Sequence, residues 1–374
     1  MRWAIVGGGT AGPAAALFLA RAGHEVVLFE RVAKPEPVGA GILLQPTGMA
    51  VLRRLGLLQT VLGRGARIAS LEGYTDYGRK ILDLRYADLR SDLFGLGIHR
   101  GALFSALWQA VCAESRIERR TGVEITAPRE GESSVIVGGE TFDRAAIASG
   151  ARSELRPPGA RARPYPWGAL WFVGRADPHP GVLFQRYRDT RKMAGLLPSG
   201  DGTVSVFWSL RADALPAWKA AGIDAWKAEV SRLMPEAPVH AVEGPDDVVF
   251  APYFDVVAPR WNTRRIAFLG DSAHAMSPQL GQGANLALQD AAALADCADG
   301  PLDRYSELRR GQLGFYSFAS RFLTPFFQSS LPILAPPRDL AAPWFHAWPW
   351  YRRQMLAVLA GVKTGIFEAM PVPE

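Results

Sequence analysis

Short apolar runs separated by glycine-rich turns organise the start of the chain. Residues 3–6 are uncharged and apolar, which is typical of a strand buried on both faces. Residues 11–20 are small or apolar, and predict a helix that packs directly on this strand. Residues 25–29 predict a second strand. The order of strand, turn, helix and strand indicates an α/β unit with a parallel sheet.

The pattern changes in the middle of the chain and again towards its end. Residues 169–208 contain four alternating, strand-like segments, which predict an antiparallel sheet. Residues 265–270 predict another buried strand, and residues 284–298 are strong helix formers. From residue 302 onwards the pattern is mainly helical. The prediction is therefore a Rossmann-type α/β domain, a second domain with an antiparallel sheet, and a helical C-terminal segment.

Length, composition and charge narrow the class of protein. A chain of 374 residues exceeds the size at which one hydrophobic core keeps growing, so two packed lobes are expected. The net charge of +6 comes from arginines spread along the chain, and no recognition motif for nucleic acid is present. Cys112 and Cys297 form no metal or disulfide pattern, which favours a reducing cytoplasm. Glycines and Pro13 interrupt the first apolar stretch, so we expect no transmembrane segment.

The turn after the first strand carries a nucleotide-binding pattern. Gly7, Gly9 and Gly12 form G-x-G-x-x-G, in which the glycines permit a tight turn, close approach of backbone to a pyrophosphate, and close packing of the helix. Glu30 follows about 20 residues later, the position of a carboxylate that binds ribose hydroxyls. This pattern predicts dinucleotide binding and leaves FAD and NAD open. The predicted binding residues here are Gly7, Gly9, Ala11, Gly12, Glu30 and Arg31.

A second motif decides the cofactor. Residues 270–291 read GDSAHAMSPQLGQGANLALQDA, and this segment closely resembles the G-D motif of FAD-dependent aromatic hydroxylases of the para-hydroxybenzoate hydroxylase class, the class A flavoprotein monooxygenases. The resemblance implies FAD as cofactor. It implies that Asp271 binds the ribityl chain, that Pro278 lies beside the isoalloxazine ring, and that the next loop gives backbone contacts to the ring. That loop contributes Gly281, Gly283, Ala284 and Asn285.

Three further segments resemble the same family. Residues 98–107 are similar to a helix start whose arginine, here Arg100, reaches the FAD. Residues 38–46 are similar to the segment that lines the far side of the flavin, with Gly41. Residues 147–156 resemble the D-G motif, but Ser149 stands where aspartate is usual. Since that aspartate is linked in the family to FAD and NAD(P)H binding, the substitution bears on nicotinamide-driven reduction.

The resemblance also implies a domain division. We expect a discontinuous FAD-binding domain of the GR2-like, three-layer β-β-α type in residues 1–75, 96–158 and 260–300. A substrate-binding β-sheet domain is expected in residues 76–95 and 159–259, and a helical segment in residues 301–374. The expected assembly is a monomer or a homodimer.

By resemblance, the activity is that of an FAD-dependent monooxygenase that uses NAD(P)H and O2. In this family a flavin hydroperoxide passes oxygen to an electron-rich carbon of a small aromatic or conjugated substrate. Such a cycle needs no metal and no protein nucleophile, and no catalytic base is named. The candidates for a flat, apolar substrate pocket, each also compatible with a core position, are Trp171, Phe184, Arg186 and Trp208.

Two other functions stay open at this point. A flavin-dependent halogenase is one, although residues 167–171 do not reproduce the W-x-W-x-I-P signature of those enzymes. The other is an FAD-binding partner protein without hydroxylation activity, which Ser149 suggests. The aromatic and basic residues 344–367 fit a membrane surface or packing against a neighbouring lobe or a second subunit, and the pattern favours packing.

Overall fold

The computed structural model describes residues 1–37 and 39–373, and of His346 only the backbone. The first half of the chain contains β1 (Arg2–Val6), α1 (Ala11–Arg21), β2 (Glu25–Glu30), β3 (Gly41–Leu44), α2 (Pro46–Arg54), α3 (Leu58–Leu62), β4 (Ala66–Ile68), β5 (Ser70–Thr75), β6 (Lys80–Arg85), β7 (Gly95–His99), α4 (Arg100–Ala113), β8 (Ile117–Thr121), β9 (Arg129–Glu130), β10 (Val135–Val137), β11 (Glu140–Phe142) and β12 (Arg144–Ile147). The second half contains β13 (Arg161–Arg175), β14 (Val182–Arg188), β15 (Lys192–Gly200), β16 (Thr203–Arg211), α5 (Leu215–Ala221), α6 (Ile223–Leu233), β17 (Val249–Val257), β18 (Ile266–Phe268), α7 (Asp271–His274), α8 (Gly283–Ala295), α9 (Asp303–Phe327), α10 (Ala335–Ala347) and α11 (Pro349–Leu359).

A five-stranded parallel sheet forms the centre of the first lobe. Its strand order is β18-β12-β1-β2-β8, and β1 pairs in parallel with both β2 and β12. The small antiparallel sheet of β9 to β11 covers one face, where the rings of Phe29 and Phe142 meet edge to face. Helices α1 and α8 pack on the other side within the same hydrophobic core. The predicted Rossmann-type, three-layer domain is confirmed.

The sequence of β1 and α1 explains how closely these layers pack. The apolar run at residues 3–6 is almost fully buried, and ten of the eleven residues of α1 are buried. Five of the eleven α1 residues are alanine and one is glycine, so the helix backbone can approach the sheet without leaving voids. This packing holds the turn between β1 and α1 at the carboxyl end of the sheet.

The second lobe is a seven-stranded sheet in the order β17-β13-β16-β15-β14-β5-β6. Neighbouring strands are antiparallel as predicted, except that β14 pairs in parallel with β5. The sheet thus includes Ser70–Thr75, which the sequence-based division grouped with the FAD-binding domain. Helix α6 covers one face, where Trp226 meets Phe172. Strands β3, β4 and β7 form a small sheet against the other face.

The C-terminal segment is helical, as predicted. Helix α9 has 25 residues, and α10 and α11 follow it with a break at Trp348. In the part of the chain that the structure describes, no helix combines the length and the apolar character that crossing a membrane requires.

Candidate active site

The three glycines of the first motif have different surroundings. Gly7 has a φ of +111°, and a Cβ there would stand 2.4 Å from the carbonyl oxygen of Ala148. A Cβ on Gly12 would stand 1.8 Å from the carbonyl oxygen of Gly7, so the helix and the turn touch through bare backbone. Gly9 is exposed, and no protein atom lies within 4 Å of the place of its Cβ. The turn therefore leaves open space beside Gly9, as approach of a pyrophosphate requires.

Glu30 ends β2 next to this turn. Its Oε2 accepts a hydrogen bond from the Gly8 N–H at 2.6 Å, and its Oε1 accepts one from the Val32 N–H at 2.8 Å. A carboxylate has about four lone-pair sites, so both oxygens can still accept bonds from ribose hydroxyls. Arg31 follows and is exposed.

The first and second motifs meet, although they lie far apart in the sequence. Gly270 has a φ of +59°, and a Cβ there would stand 3.4 Å from the Cβ of Ala11 and 3.3 Å from that of Ala287. Helix α7 begins directly afterwards. The contact of β18, α1 and α8 therefore brings the G-D segment to the same end of the parallel sheet as the glycine turn.

The loop between α7 and α8 presents the predicted ring-binding residues to the surface. Asp271 is exposed, and its Oδ1 lies 3.8 Å from the place of a Cβ on Gly283. Pro278 is also exposed, and Gly281 has a φ of +61° with no protein atom within 4 Å of its Cβ position. Ala284 lies in the first turn of α8. The unpaired N–H groups at this helix start favour negative charge.

Asn285 locks the loop to the neighbouring strand. Its Oδ1 accepts from the Gln45 N–H at 2.8 Å, and its Nδ2 donates to the carbonyl oxygens of Leu43 and Gly281, each at 3.1 Å. The side chain is fully buried. Strand β3, which contains Gly41, is thereby fixed beside the start of α8.

Gly41 and Arg100 lie at the same end of the antiparallel pair formed by β3 and β7, since Gly41 pairs with His99. A Cβ on Gly41 would stand 2.5 Å from the Cβ of Ser205, so β3 contacts the seven-stranded sheet without a side chain at that position. Arg100 starts α4, and its N–H donates to the carbonyl oxygen of Ala40 at 2.8 Å. Its side chain is exposed and passes Gly39, where a Cβ would stand 3.1 Å from the arginine Cδ.

A buried ion network supports the G-D segment, and sequence reasoning missed it. Asp290 accepts hydrogen bonds from His274 Nε2 at 2.5 Å, from Arg309 Nε at 2.8 Å and from the Gly270 N–H at 2.8 Å. Burial alone would raise the pKa of Asp290, but attraction to His274 and Arg309, with these hydrogen bonds, holds it below the ordinary value. The sequence signal for Asp290 was only its place within the G-D segment, residues 270–291.

Ser149 lies at the carboxyl end of β12, against the glycine turn. Its Cα would be 3.1 Å from a Cβ on Gly7, and its Oγ is buried without a hydrogen-bond partner among the described residues. Arg156 follows nearby in the chain and donates to the carbonyl oxygen of Ala151 at 2.7 Å, and burial lowers its pKa.

The four substrate candidates lie on opposite faces of the seven-stranded sheet. Phe184 and Trp208 belong to the buried cluster under α6, and Arg186 projects to the same face, where its Nη2 donates to Glu236 Oε1 at 2.8 Å. This face points away from the small sheet that contains Gly41. Trp171 projects to the other face, with its ring 5.2 Å from that of Phe207. Only Trp171 of the four lies on the side of the FAD-binding motifs.

We call the face of the seven-stranded sheet that carries Trp171 the inner face. Contacts on both sides of Trp171 connect the inner face to the loops of the first lobe. Ser205, two residues before Phe207, touches Gly41 as described. Gln328 Nε2 donates to the carbonyl oxygen of Gly168 at 3.1 Å, and its Oε1 accepts from Gln279, the residue after Pro278, at 3.2 Å. Sequence reasoning missed Gln328, because a single glutamine after a long helix carries no local signal.

A further cavity lies away from these motifs. It measures about 580 Å³ and is lined by Arg144, Arg260, Arg265 and neighbouring residues. These residues lie at the amino end of the parallel sheet, opposite the glycine turn. Arg144 and Arg265 donate to backbone carbonyl oxygens there, so we assign this cavity no part in the reaction. Among residues with described side chains, no group of three His, Cys, Asp or Glu is arranged to hold a metal ion.

Comparison with known families agrees with this geometry. The profile of the family described as "FAD binding domain" matches residues 2–125 and 174–297. The chain is 30% identical over 358 residues to a 3-amino-4-hydroxybenzoate 2-monooxygenase, PtnB3, of Streptomyces platensis, with 82% of this chain and 84% of that protein covered. It is 27% identical to the aurachin C monooxygenase/isomerase of Stigmatella aurantiaca, covering 78% and 79%.

Comparison with solved structures shows a shared fold. The crystal structure of Klebsiella pneumoniae HpxO complexed with FAD and uric acid superposes with a TM-score of 0.82 at 19% identity, covering 96% of this chain and 97% of the other. The chain therefore belongs to the FAD-dependent aromatic hydroxylases, the class A flavoprotein monooxygenases. It is a flavin-dependent monooxygenase, and FAD is its cofactor.

Proposed function

We propose that this monooxygenase hydroxylates a small aromatic or conjugated substrate, with O2 as oxidant and NAD(P)H as electron donor. The observation that supports it is the convergence of the open Gly9 turn, Glu30 and the loop from Asp271 to Asn285 at one end of the parallel sheet. Bound FAD would supply the reducing equivalents and the activation of oxygen. The residues of the chain bind, orient and exclude water.

The residues present fit this cofactor. We assign the pyrophosphate to the Gly7–Gly12 turn, the ribose to Glu30, and the ribityl chain to Asp271. The ring is assigned to the stretch from Pro278 to Asn285 on one side and to Gly41 on the other, with Arg100 near the phosphates. The start of α8 would stabilise negative charge on the ring through its free N–H groups. Arg31 is left as a further contact at the ribose.

The substrate is assigned to the inner face of the seven-stranded sheet. Trp171 and Phe207, whose rings are tilted by 45° to each other, offer an apolar wall between the Gly41 strand and the Pro278 loop. Tyr187, whose OH donates to Gln185 Oε1 at 2.6 Å, and Gln328 supply polar groups on this face. A wall of two aromatic rings with few polar groups suits an aromatic ring that carries one or two polar substituents. We leave Phe184, Arg186 and Trp208 out of the pocket.

The electron donor is tested by anaerobic stopped-flow absorbance. The FAD-loaded protein is mixed with NADPH or NADH, with and without a panel of phenols and quinolones. We expect loss of the flavin absorbance, accelerated by a ligand. When ¹⁸O2 is admitted in a second step, that ligand should be hydroxylated with one ¹⁸O atom. If neither nucleotide reduces the flavin with any ligand, the proposal is wrong.

Ser149 gives a matched pair of variants for the same experiment. Ser149→Asp restores the residue usual in the family, and we expect faster reduction by NAD(P)H, whereas Ser149→Ala should leave the rate unchanged. Equal reduction rates in both variants and the wild type would show that residue 149 has no influence on reduction of the flavin by NAD(P)H.

Two alternatives have distinct outcomes. A halogenase would need chloride and an external reductase. A non-hydroxylating FAD protein, which Ser149 suggests, would show no ligand-dependent NAD(P)H oxidation. We further propose that the protein acts in the cytoplasm and is a monomer or a homodimer. Sedimentation equilibrium would test the oligomeric state.

A further inference from the structure

The surface between the second half of α9 and the start of α11 is apolar on its outside. Trp344 is 79% exposed and Ile333 is 78% exposed, values that are uncommon for such side chains. We call the following residues the outward apolar surface: Phe318, Phe322, Leu331, Ile333, Leu340, Trp344, Phe345, Trp348 and Trp350. Between residues 331 and 350, no exposed residue with a described side chain carries a charge.

The two charged residues within this stretch point inwards. Arg338 and Asp339 are only 8% and 6% exposed, and they form an ion pair at 2.7 Å. Arg338 also donates to the carbonyl oxygens of Asp189 and Phe326, and Asp339 accepts from the Tyr77 hydroxyl at 2.9 Å. A helix that faces water has the opposite arrangement, with charges outside and apolar residues inside. The outer face is therefore suited to contact with an apolar partner.

Positive charge surrounds this surface. Residues 318–367 contain five basic residues and one acidic residue, and of these Arg338, Lys363 and Asp339 are buried. The side chains of Arg321 and Arg352 are each 43% exposed and form long ion pairs with Asp255 at 3.8 Å and with Asp88 at 3.6 Å. Arg353 is exposed. Tryptophan beside arginine is the composition of segments that lie in the headgroup region of a bilayer, where the ring is buried and the cation contacts phosphate.

We propose that the outward apolar surface docks on the surface of an anionic phospholipid bilayer, with the indole rings of Trp344 and Trp348 among the lipid headgroups. The charge distribution favours this partner over a second copy of the chain. A two-fold interface pairs the same surface from both copies, so the arginines of one copy would lie near those of the other. An anionic bilayer instead gives each of these arginines an opposite charge. The contact is peripheral, since α10 has only 13 residues.

The test measures binding of the FAD-loaded protein to sedimented vesicles. One set contains phosphatidylcholine alone, and the other contains phosphatidylcholine with phosphatidylglycerol. We expect binding to the anionic vesicles that weakens with added salt. Ile333→Ser combined with Trp344→Ser should weaken it by at least about tenfold, because two large apolar side chains no longer leave water. Arg353→Gln should weaken it about fivefold.

Val249→Ser is the matched control, since Val249 is 53% exposed on β17, outside the outward apolar surface. It should bind like the wild type, and unchanged flavin absorbance in all variants shows that they fold. Absence of binding to anionic vesicles at low salt overturns the proposal, as does equal binding to neutral vesicles. A wild-type dimer in sedimentation equilibrium that the double variant dissociates would assign the surface to a second copy. None of these outcomes depends on the proposed hydroxylation.

Discussion

At the scale of single residues, the glycines divide into those that pack and those that leave space. Gly7 and Gly12 lie against backbone atoms, so any side chain there must displace the turn. No protein atom lies within 4 Å of the place of a Cβ on Gly9, and its conformation is not in the left-handed region. The fold therefore does not require glycine there, whereas the proposed pyrophosphate contact does.

Gly9→Ala separates these two requirements. The added methyl group meets no protein atom, so the free energy of unfolding of the FAD-free protein should change by less than about 0.5 kcal/mol. The affinity for FAD, measured by fluorescence titration, should fall by about tenfold, since backbone can no longer approach the pyrophosphate.

Gly244→Ala is the control for this variant. Gly244 also has open space and ordinary backbone geometry, but it lies in the loop before β17. Its FAD affinity should equal that of the wild type. A Gly9→Ala protein with wild-type FAD affinity would contradict the assignment of the pyrophosphate.

Asp290 leads to a prediction about stability and pH. Removing one member of a buried ion network leaves the others uncompensated, so Asp290→Asn should lower the free energy of unfolding by about 3–5 kcal/mol at pH 7. The pKa of Asp290 in the folded protein lies below the ordinary value of 3.8. The stability that the ionised carboxylate contributes is therefore fully present above pH 3.8, and it is lost as the pH falls through the folded-state pKa. Urea unfolding at several pH values measures both effects.

The control for this experiment lies at the end of the same helix. Asp296 pairs with Arg54 at the surface, with its side chain 52% exposed, so Asp296→Asn should change the stability by less than about 1 kcal/mol. If Asp290→Asn behaves like Asp296→Asn, the network has no stabilising role.

At the scale of elements, the seven-stranded sheet has one face for its own core and one for the proposed substrate. Trp171→Leu removes an aromatic wall on the inner face and should raise the KM for the aromatic substrate about tenfold, with a smaller effect on stability. Trp208→Phe changes the face under α6 and should lower stability while it leaves KM unchanged. Steady-state kinetics with thermal unfolding compares them, and similar KM values for both variants would contradict the pocket assignment.

The same sheet shows what could be predicted from the sequence. Apolar runs and glycine turns carry local signals, so β1, α1 and the helix predicted at residues 284–298, which is observed at Gly283–Ala295, were predictable. Strand alternation puts the adjacent residues Phe207 and Trp208 on different faces but does not say which face meets the FAD-binding lobe, so Trp171 and Trp208 were grouped in one pocket. That choice depends on the contact of Gly41 with Ser205, which are distant in sequence. The partners of Asp290 lie 16 and 19 residues away, which no local pattern reveals.

At the scale of the whole molecule, FAD would bridge segments from opposite ends of the chain. At a free concentration of 100 times the dissociation constant, a ligand that binds only the folded state adds about 2.7 kcal/mol of stability. For a chain of this length, that should raise the Tm by about 3 °C. Scanning calorimetry with and without added FAD measures the shift. With an affinity about tenfold lower, Gly9→Ala should reduce the shift by about half at the same FAD concentration. An equal shift in that variant would contradict the bridging role.

The separation of the two motifs also has a consequence for synthesis. Strand β18 joins the edge of the parallel sheet beside β12, and the loop that follows it completes the proposed site. At about 5–20 residues per second, a ribosome needs roughly 13 to 52 s to pass from Gly9 to Asp271. During this time the nascent chain has its glycine turn but not the second half of the site. If FAD binds as proposed, its stable uptake follows translation of residue 285 and the emergence of that residue from the exit tunnel.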